Sequence, residues 1–231
     1  ERLGAERLTK SDGSGEYLVK EKYRLPGVIW LLVLFAIAVI ALGGKTGMSS
    51  IAGLVVSIGI LVFFVMPRII AGGDPLLACF LGSVAIACTS LYLAHGFRRR
   101  TSVALASTLI TLAASLVLSV VFVRIAKLFG MGTEEAMFLQ SGQLQGIDLK
   151  GLLLGGIIIG CLGVLDDITT AQTAAVDEIR KANPSLTKSK LRAAGLSVGK
   201  EHIASLINTL ALAYIGTSLP LLLLLHSQSN Q

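Results

Sequence analysis

Charge is scarce in this chain. Only 15% of its 231 residues are Asp, Glu, Lys or Arg, 53% are hydrophobic, and mean hydropathy is +0.77, which excludes a soluble globular domain of this size. Proline is held to 5 residues, so the apolar runs go on uninterrupted. They also lack the alternation that the strands of a membrane barrel require. Helices remain, because hydrocarbon tolerates only helices or closed barrels. The 3 cysteines, Cys79, Cys88 and Cys161, all lie inside apolar runs. With no CxxC pair and no histidine at ligand spacing, they read as small buried hydrophobes. Phosphate loop, nucleophile elbow and zinc signature are all missing, so no enzyme activity and no cofactor are expected. Aromatic residues make up only 6%, and no basic face is interleaved with them, which argues against nucleic acid as a partner. The first residues show no signal-peptide pattern.

What is there is long, apolar and rich in glycine, with 25 Gly, as suits closely packed membrane helices. The fold class expected is all-α, a polytopic transmembrane bundle of about six helices, each near the roughly 20 residues that cross a bilayer. They fall at 27–43, 48–66, 76–95, 102–127, 149–172 and 202–225, with Tyr23 and Trp30 as interfacial anchors of the first. Residues 1–25, with the turn sequence SDGSG and the strand-like Tyr17, Leu18 and Val19, read as the tail of an extracytoplasmic domain missing from this chain. Residues 26–231 form the membrane domain. If the chain starts outside, inner loops hold Lys45, Arg98, Arg99, Arg100, Arg180, Lys181, Lys188, Lys190, Arg192 and Lys200, and outer ones Arg68, Arg124, Lys127 and Lys150. Ten against four follows the positive-inside rule. The expected location is the bacterial cytoplasmic membrane, and the net charge of +6 reflects topology and inner-leaflet contact.

Small residues recur at helical spacing. Gly156, Gly160 and Gly163 share a face within a run that also holds Gly151 and Gly155, and we expect that face at a helix contact, within one chain or in a homodimer or with a membrane partner protein. Ser107, Thr111, Ser115 and Ser119 form a second stripe, and Ser49, Gly53 and Ser57 a third.

The run ends in Asp166 and Asp167, where lipid is still near. An aspartate at the centre of a membrane helix costs about 2.5–3.5 kcal/mol on insertion scales and is a functional candidate by default. Adjacent helical residues point about 100° apart, so the two cannot share a proton as facing acids do. With Thr170 and Gln172 they offer oxygen ligands to a hard cation, or a site for proton uptake; whether a metal binds is left open. The other reading is that the helix leaves the bilayer by Leu165 and these are solvated acids. Negative charge at a helix C-terminus is unfavourable, so either the helix continues through DEIRK or the acids have a partner. Asn183 and Pro184 end it, Ser185 caps a short basic interfacial helix near 185–195, and Gly195 and Gly199 turn the chain. On the last helix His202, Ser205 and Asn208 form a polar stripe, placed to face the Asp stripe as a relay.

The blocks GIIIGCLGVLDDITTAQTAAVDEIRKANPSL and GKEHIASLINTLALAYIGTSLPLLLLL, with KYRLPGVIWLLVLF and LYLAHGFRRRT upstream, closely resemble the YibE/F family of bacterial multi-pass membrane proteins. That resemblance implies an N-terminal anchor and extracytoplasmic domain before this region and a further helix after it, both expected to be missing here. The acidic helix followed by a polar-faced one also looks like the transmembrane halves of SecD and SecF, which implies coupling of proton flow to an extracytoplasmic domain. Two functions stay open: a proton- or cation-coupled transporter or energised membrane machine, and a non-transporting scaffold or assembly factor. An intramembrane aspartyl protease is disfavoured, because GVLDD lacks the Gly-x-Gly-Asp arrangement.

Overall fold

The structure, a computed structural model, describes residues 25–132, 136, 138–139 and 146–229, and the backbone of 3–9 and 15–22. The chain divides into two compact units, 1–55 and 56–231.

In the first unit, β1 (Leu3–Thr9) and β2 (Gly15–Lys22) pair antiparallel, with Leu3 opposite Lys22 and Thr9 opposite Gly15. The strand-like Tyr17, Leu18 and Val19 fall within β2, while most of the expected SDGSG turn, and Tyr23, lie outside the described residues. Helix α1 (Leu25–Ile60) is broken at Gly44, whose φ of 54° and ψ of −132° are not helical. Glycine is needed there, because other residues rarely adopt a positive φ. A Cβ on Gly47 would strike the carbonyl of Val39, although eight residues of straight helix would separate the two by about 12 Å. The chain therefore doubles back at Gly44, with Lys45 at the bend.

In the second unit, a π turn (Leu61–Val65) leads into α2 (Met66–Ile70). Helix α3 (Pro75–His95) starts with Pro75 in its first turn and is capped by Asp74, whose carboxylate accepts from the Leu77 N–H at 3.1 Å, meeting one of the unpaired donors of a helix start. Helix α4 (Arg99–Ile125) follows after Gly96. Helix α5 (Leu149–Ala182), capped by Asp148, is the hub, packing on α4 and α3 and less extensively on the next helix, α6 (Lys188–Thr217). Helix α7 (Leu219–Ser229) leaves α6 at a bend of 64°, next to Pro220, which has no N–H to continue the ladder. Two small cores hold the unit together. Ile86, Ala87, Leu112, Ile158 and Leu162 tie α3, α4 and α5, and Val65, Ile69, Ala78 and Cys79 tie the π turn and α2 to α3.

Four helices are long and apolar enough to cross a membrane, or five if α6 and α7 count as one bent span. The chain is thus an all-α helical bundle with the length and apolarity of a multi-pass membrane protein. The expected count of about six differs at the start. Segments 27–43 and 48–66 both fall inside the single run Leu25–Ile70, and the break at Gly44 is what separates them. The separate basic helix near 185–195 is corrected outright. Thr187, not Ser185, caps α6, its hydroxyl accepting from the Lys190 N–H, and that helix runs through Gly195 and Gly199 without turning.

Candidate functional site

Asp166 stands in the middle of a helix. It is the eighteenth of the 34 residues of α5, about 25 Å from the helix start, and the helix continues through DEIRK. The helix does not end at the acids, so they meet no helix C-terminus.

Around Asp166 three helices bring hydroxyls together. Ser90 of α3 donates to Asp166 Oδ2 across 3.4 Å, a long bond that returns little. Asp166 Oδ1 is shielded from solvent and has no partner among the described residues. His95, the last residue of α3, lies within electrostatic range of Asp166, and its own Nδ1 is shielded and unpartnered among the described residues. One turn below, the fully buried Thr108 of α4 meets Thr169 of α5 at 2.6 Å between hydroxyl oxygens. The Thr169 hydroxyl also lies 2.8 Å from the Leu165 carbonyl, and either threonine can be the donor across the interface.

The other expected residues take different places. Asp167 is exposed, about one helical step of 100° away. Thr170 donates to the backbone carbonyl of Asp166 at 2.7 Å, and Thr173 to that of Thr169 at 2.8 Å, so these hydroxyls serve their own helix and not the carboxylates. Gln172 turns to α6, where its side-chain N–H donates to the Gly195 carbonyl at 2.7 Å. On α6, His202 is half-buried and Ser205 and Asn208 are exposed. No bond among the described residues joins any of the three to Asp166 or Asp167.

Glycine contacts are redistributed in the same way. Gly156, Gly160 and Gly163 have open space where a Cβ would stand, and the first two line a cavity of about 530 Å³ with Leu210 and Tyr214. The close approach to another helix falls on Gly155, where a Cβ would stand 2.5 Å from Cys79 Sγ, while a Cβ on Gly151 would meet the capping Asp148 of its own helix. Gly195 and Gly199, expected to turn the chain, instead let α6 lie against Val176 and Gln172.

Past this seam the polar side chains become ionic. Arg100 of α4 approaches Asp177 at 3.8 Å, and Lys181 meets Asp177 at 3.0 Å and Glu178 at 2.8 Å. Among the described residues no group of three or more His, Cys, Asp or Glu side chains gathers as metal ligands would. Sequence reasoning missed Ser90, His95 and Thr108. A signal existed: Ser83 and Ser90, and Thr101 and Thr108, each repeat at i, i+7, and Ser83, Thr101 and Thr108 are buried.

Comparison with curated proteins and with solved structures yields no match. The family described as YibE/F-like protein matches residues 31–231, nearly the whole helical region and all of the seam around Asp166. The chain belongs to the YibE/F family of membrane proteins.

Proposed function

We propose that this membrane protein is a proton- or cation-coupled transporter, or an energised membrane machine, that works through Asp166. The observation that carries the reading is the state of that side chain: one oxygen holds a single long hydrogen bond and the other is shielded with no partner among the described residues. A charged carboxylate so placed lacks the donors that normally offset its removal from water. A proton or a small cation supplies what is missing. Ser90 and His95 are the groups nearest to assist, and the Thr108–Thr169 pair keeps α4 and α5 together beside them. Asp167, exposed on the neighbouring face, serves as an outer acid at which ions gather. His202, Ser205 and Asn208 belong in this scheme only where α6 moves. The excess of Lys and Arg on inner loops supports residence in a cytoplasmic membrane of bacterial type, and we read the chain as having no enzymatic activity of its own.

The test is ion flux into proteoliposomes under imposed pH and cation gradients. Asp166→Asn should abolish flux while the protein stays folded, whereas Asp167→Asn should reduce it only partly. If no variant and no wild-type sample conducts, and Asp166→Asn only lowers stability, the protein is a scaffold or assembly factor and the polar seam is structural.

A further inference from the structure

Where α4 begins and beyond Gln172 of α5, the second unit holds a cavity of about 630 Å³ lined by charged and apolar side chains together. Arg99, Arg100 and Arg180 are among the lining residues, Asp177 is the one acidic residue there, and most of the lining surface is apolar. Val103, Val176 and Leu191 make an apolar wall beside them. Three cations against one anion leave an excess of two positive charges. The pairs already made do not consume it. Arg100 and Asp177 stand 3.8 Å apart, with side chains 29% and 41% exposed, a separation at the outer limit of an ion pair. Arg180 donates to the Leu186 carbonyl at 2.6 Å, which fixes the guanidinium in place without neutralising it. Arg99, in the first turn of α4, is exposed and has no ion pair among the described residues.

We propose that this cavity binds the phosphate head of an anionic phospholipid from the cytoplasmic leaflet. Guanidinium groups match phosphate oxygens in charge and in bidentate geometry. Three arginines around a mostly apolar cavity suit a molecule that is anionic at one end and hydrocarbon at the other. A free phosphate would use the arginines but leave the wall of Val103, Val176 and Leu191 without a partner. The position follows from the chain: the arginines lie in the segments that the charge count assigns to the inner side, and α4 turns apolar within one turn of Arg100. The site is separate from Asp166 and stands whether or not that residue couples transport.

The experiment uses the purified full chain in zwitterionic detergent, titrated with short-chain phosphatidylglycerol, with phosphatidylcholine of equal chain length, and with inorganic phosphate. Bound lipid is counted by native mass spectrometry and thermal unfolding is followed in parallel. Phosphatidylglycerol should bind in preference to phosphatidylcholine and raise the melting temperature. Arg99→Gln and Arg100→Gln should each weaken that binding about tenfold, the loss of roughly one charge-assisted contact. Lys188→Gln with Lys190→Gln removes two nearby charges outside the cavity and should leave it unchanged. Equal binding of both lipids overturns the proposal. So does a lysine variant that weakens binding as much as the arginine variants, which would reduce the effect to general surface charge. Inorganic phosphate that displaces phosphatidylglycerol at millimolar concentration, and stabilises the protein as well as the lipid does, overturns it in favour of a soluble anion. Arg99 is exposed, so its replacement should not compromise folding, and its unfolding curve without lipid should overlay that of the wild type.

Discussion

Gly155→Ala puts a methyl group where Cys79 already stands. The new Cβ would lie 2.5 Å from Cys79 Sγ, 2.8 Å from Cys79 Cβ and 3.3 Å from the Pro75 carbonyl oxygen. Carbon atoms in comfortable contact sit about 3.5–4.0 Å apart, so relief requires a shift of nearly 1 Å. The sulfur can rotate away, but the Cβ is fixed to α3, and the helices themselves must part. Overpacking of this kind costs typically 1–3 kcal/mol, and we expect about 2 kcal/mol here. The neighbouring Gly156→Ala is the control, since nothing lies within 4 Å of its Cβ; the variant should be neutral, or stabilising by less than about 1 kcal/mol through helix propensity. Reversible unfolding in mixed micelles, or steric trapping in bicelles, resolves the difference. Cys79→Ala on the Gly155→Ala background should restore part of the loss by removing the sulfur. If Gly156→Ala destabilises as much as Gly155→Ala, the face of Gly156, Gly160 and Gly163 is the packed one and α3 does not approach α5 in this way.

Other consequences can be measured in the same way. A double-mutant cycle of Thr108→Val and Thr169→Val should give a coupling of roughly 0.6–1.7 kcal/mol, the range of interhelical hydrogen bonds in membranes; a value near zero removes the bond between α4 and α5. Gln172→Leu should cost about 1 kcal/mol by losing its bond to the Gly195 carbonyl, and cysteine cross-linking between α5 and α6 should report looser contact; undiminished cross-linking counts against the clasp. Gly44→Ala should destabilise by about 1–3 kcal/mol, because its backbone conformation is open to glycine almost alone, whereas Gly43→Ala, with open space around it, should be tolerated.

The sequence made the class of the protein plain, because charge content and run length depend on composition alone. It also made Asp166 a candidate, since an acid at the end of an apolar run is visible without knowing any neighbour. What it hid was adjacency. The stripe of His202, Ser205 and Asn208 is a real periodicity on α6, yet the helix that meets Asp166 is α3, and a stripe does not say which helix it faces. The serine and threonine stripe of α4 failed for a related reason. Thr111 turns outward and donates to the carbonyl of Ser107 at 2.7 Å, while the buried hydroxyls lie at Thr101 and Thr108, spaced by seven and not by four. Gly195 and Gly199 were ambiguous by nature, as glycine serves both turns and close helix contacts, and only the contact with Gln172 and Val176 distinguishes them.

Between Gly163 and the end of α5 there is neither glycine nor proline, and this makes the second half of that helix a stiff rod. Asp166 sits near its start, and Asp177 and Arg180 about 16–21 Å further along. A rod without a hinge carries tilt from one end to the other. On the function proposed above, a change of charge at Asp166 that tilts α5 against α3 would swing Asp177 and Arg180 relative to Arg100, and α6 with them through Gln172. Inserting a glycine pair at Ala174 and Ala175 would uncouple the two ends without touching either.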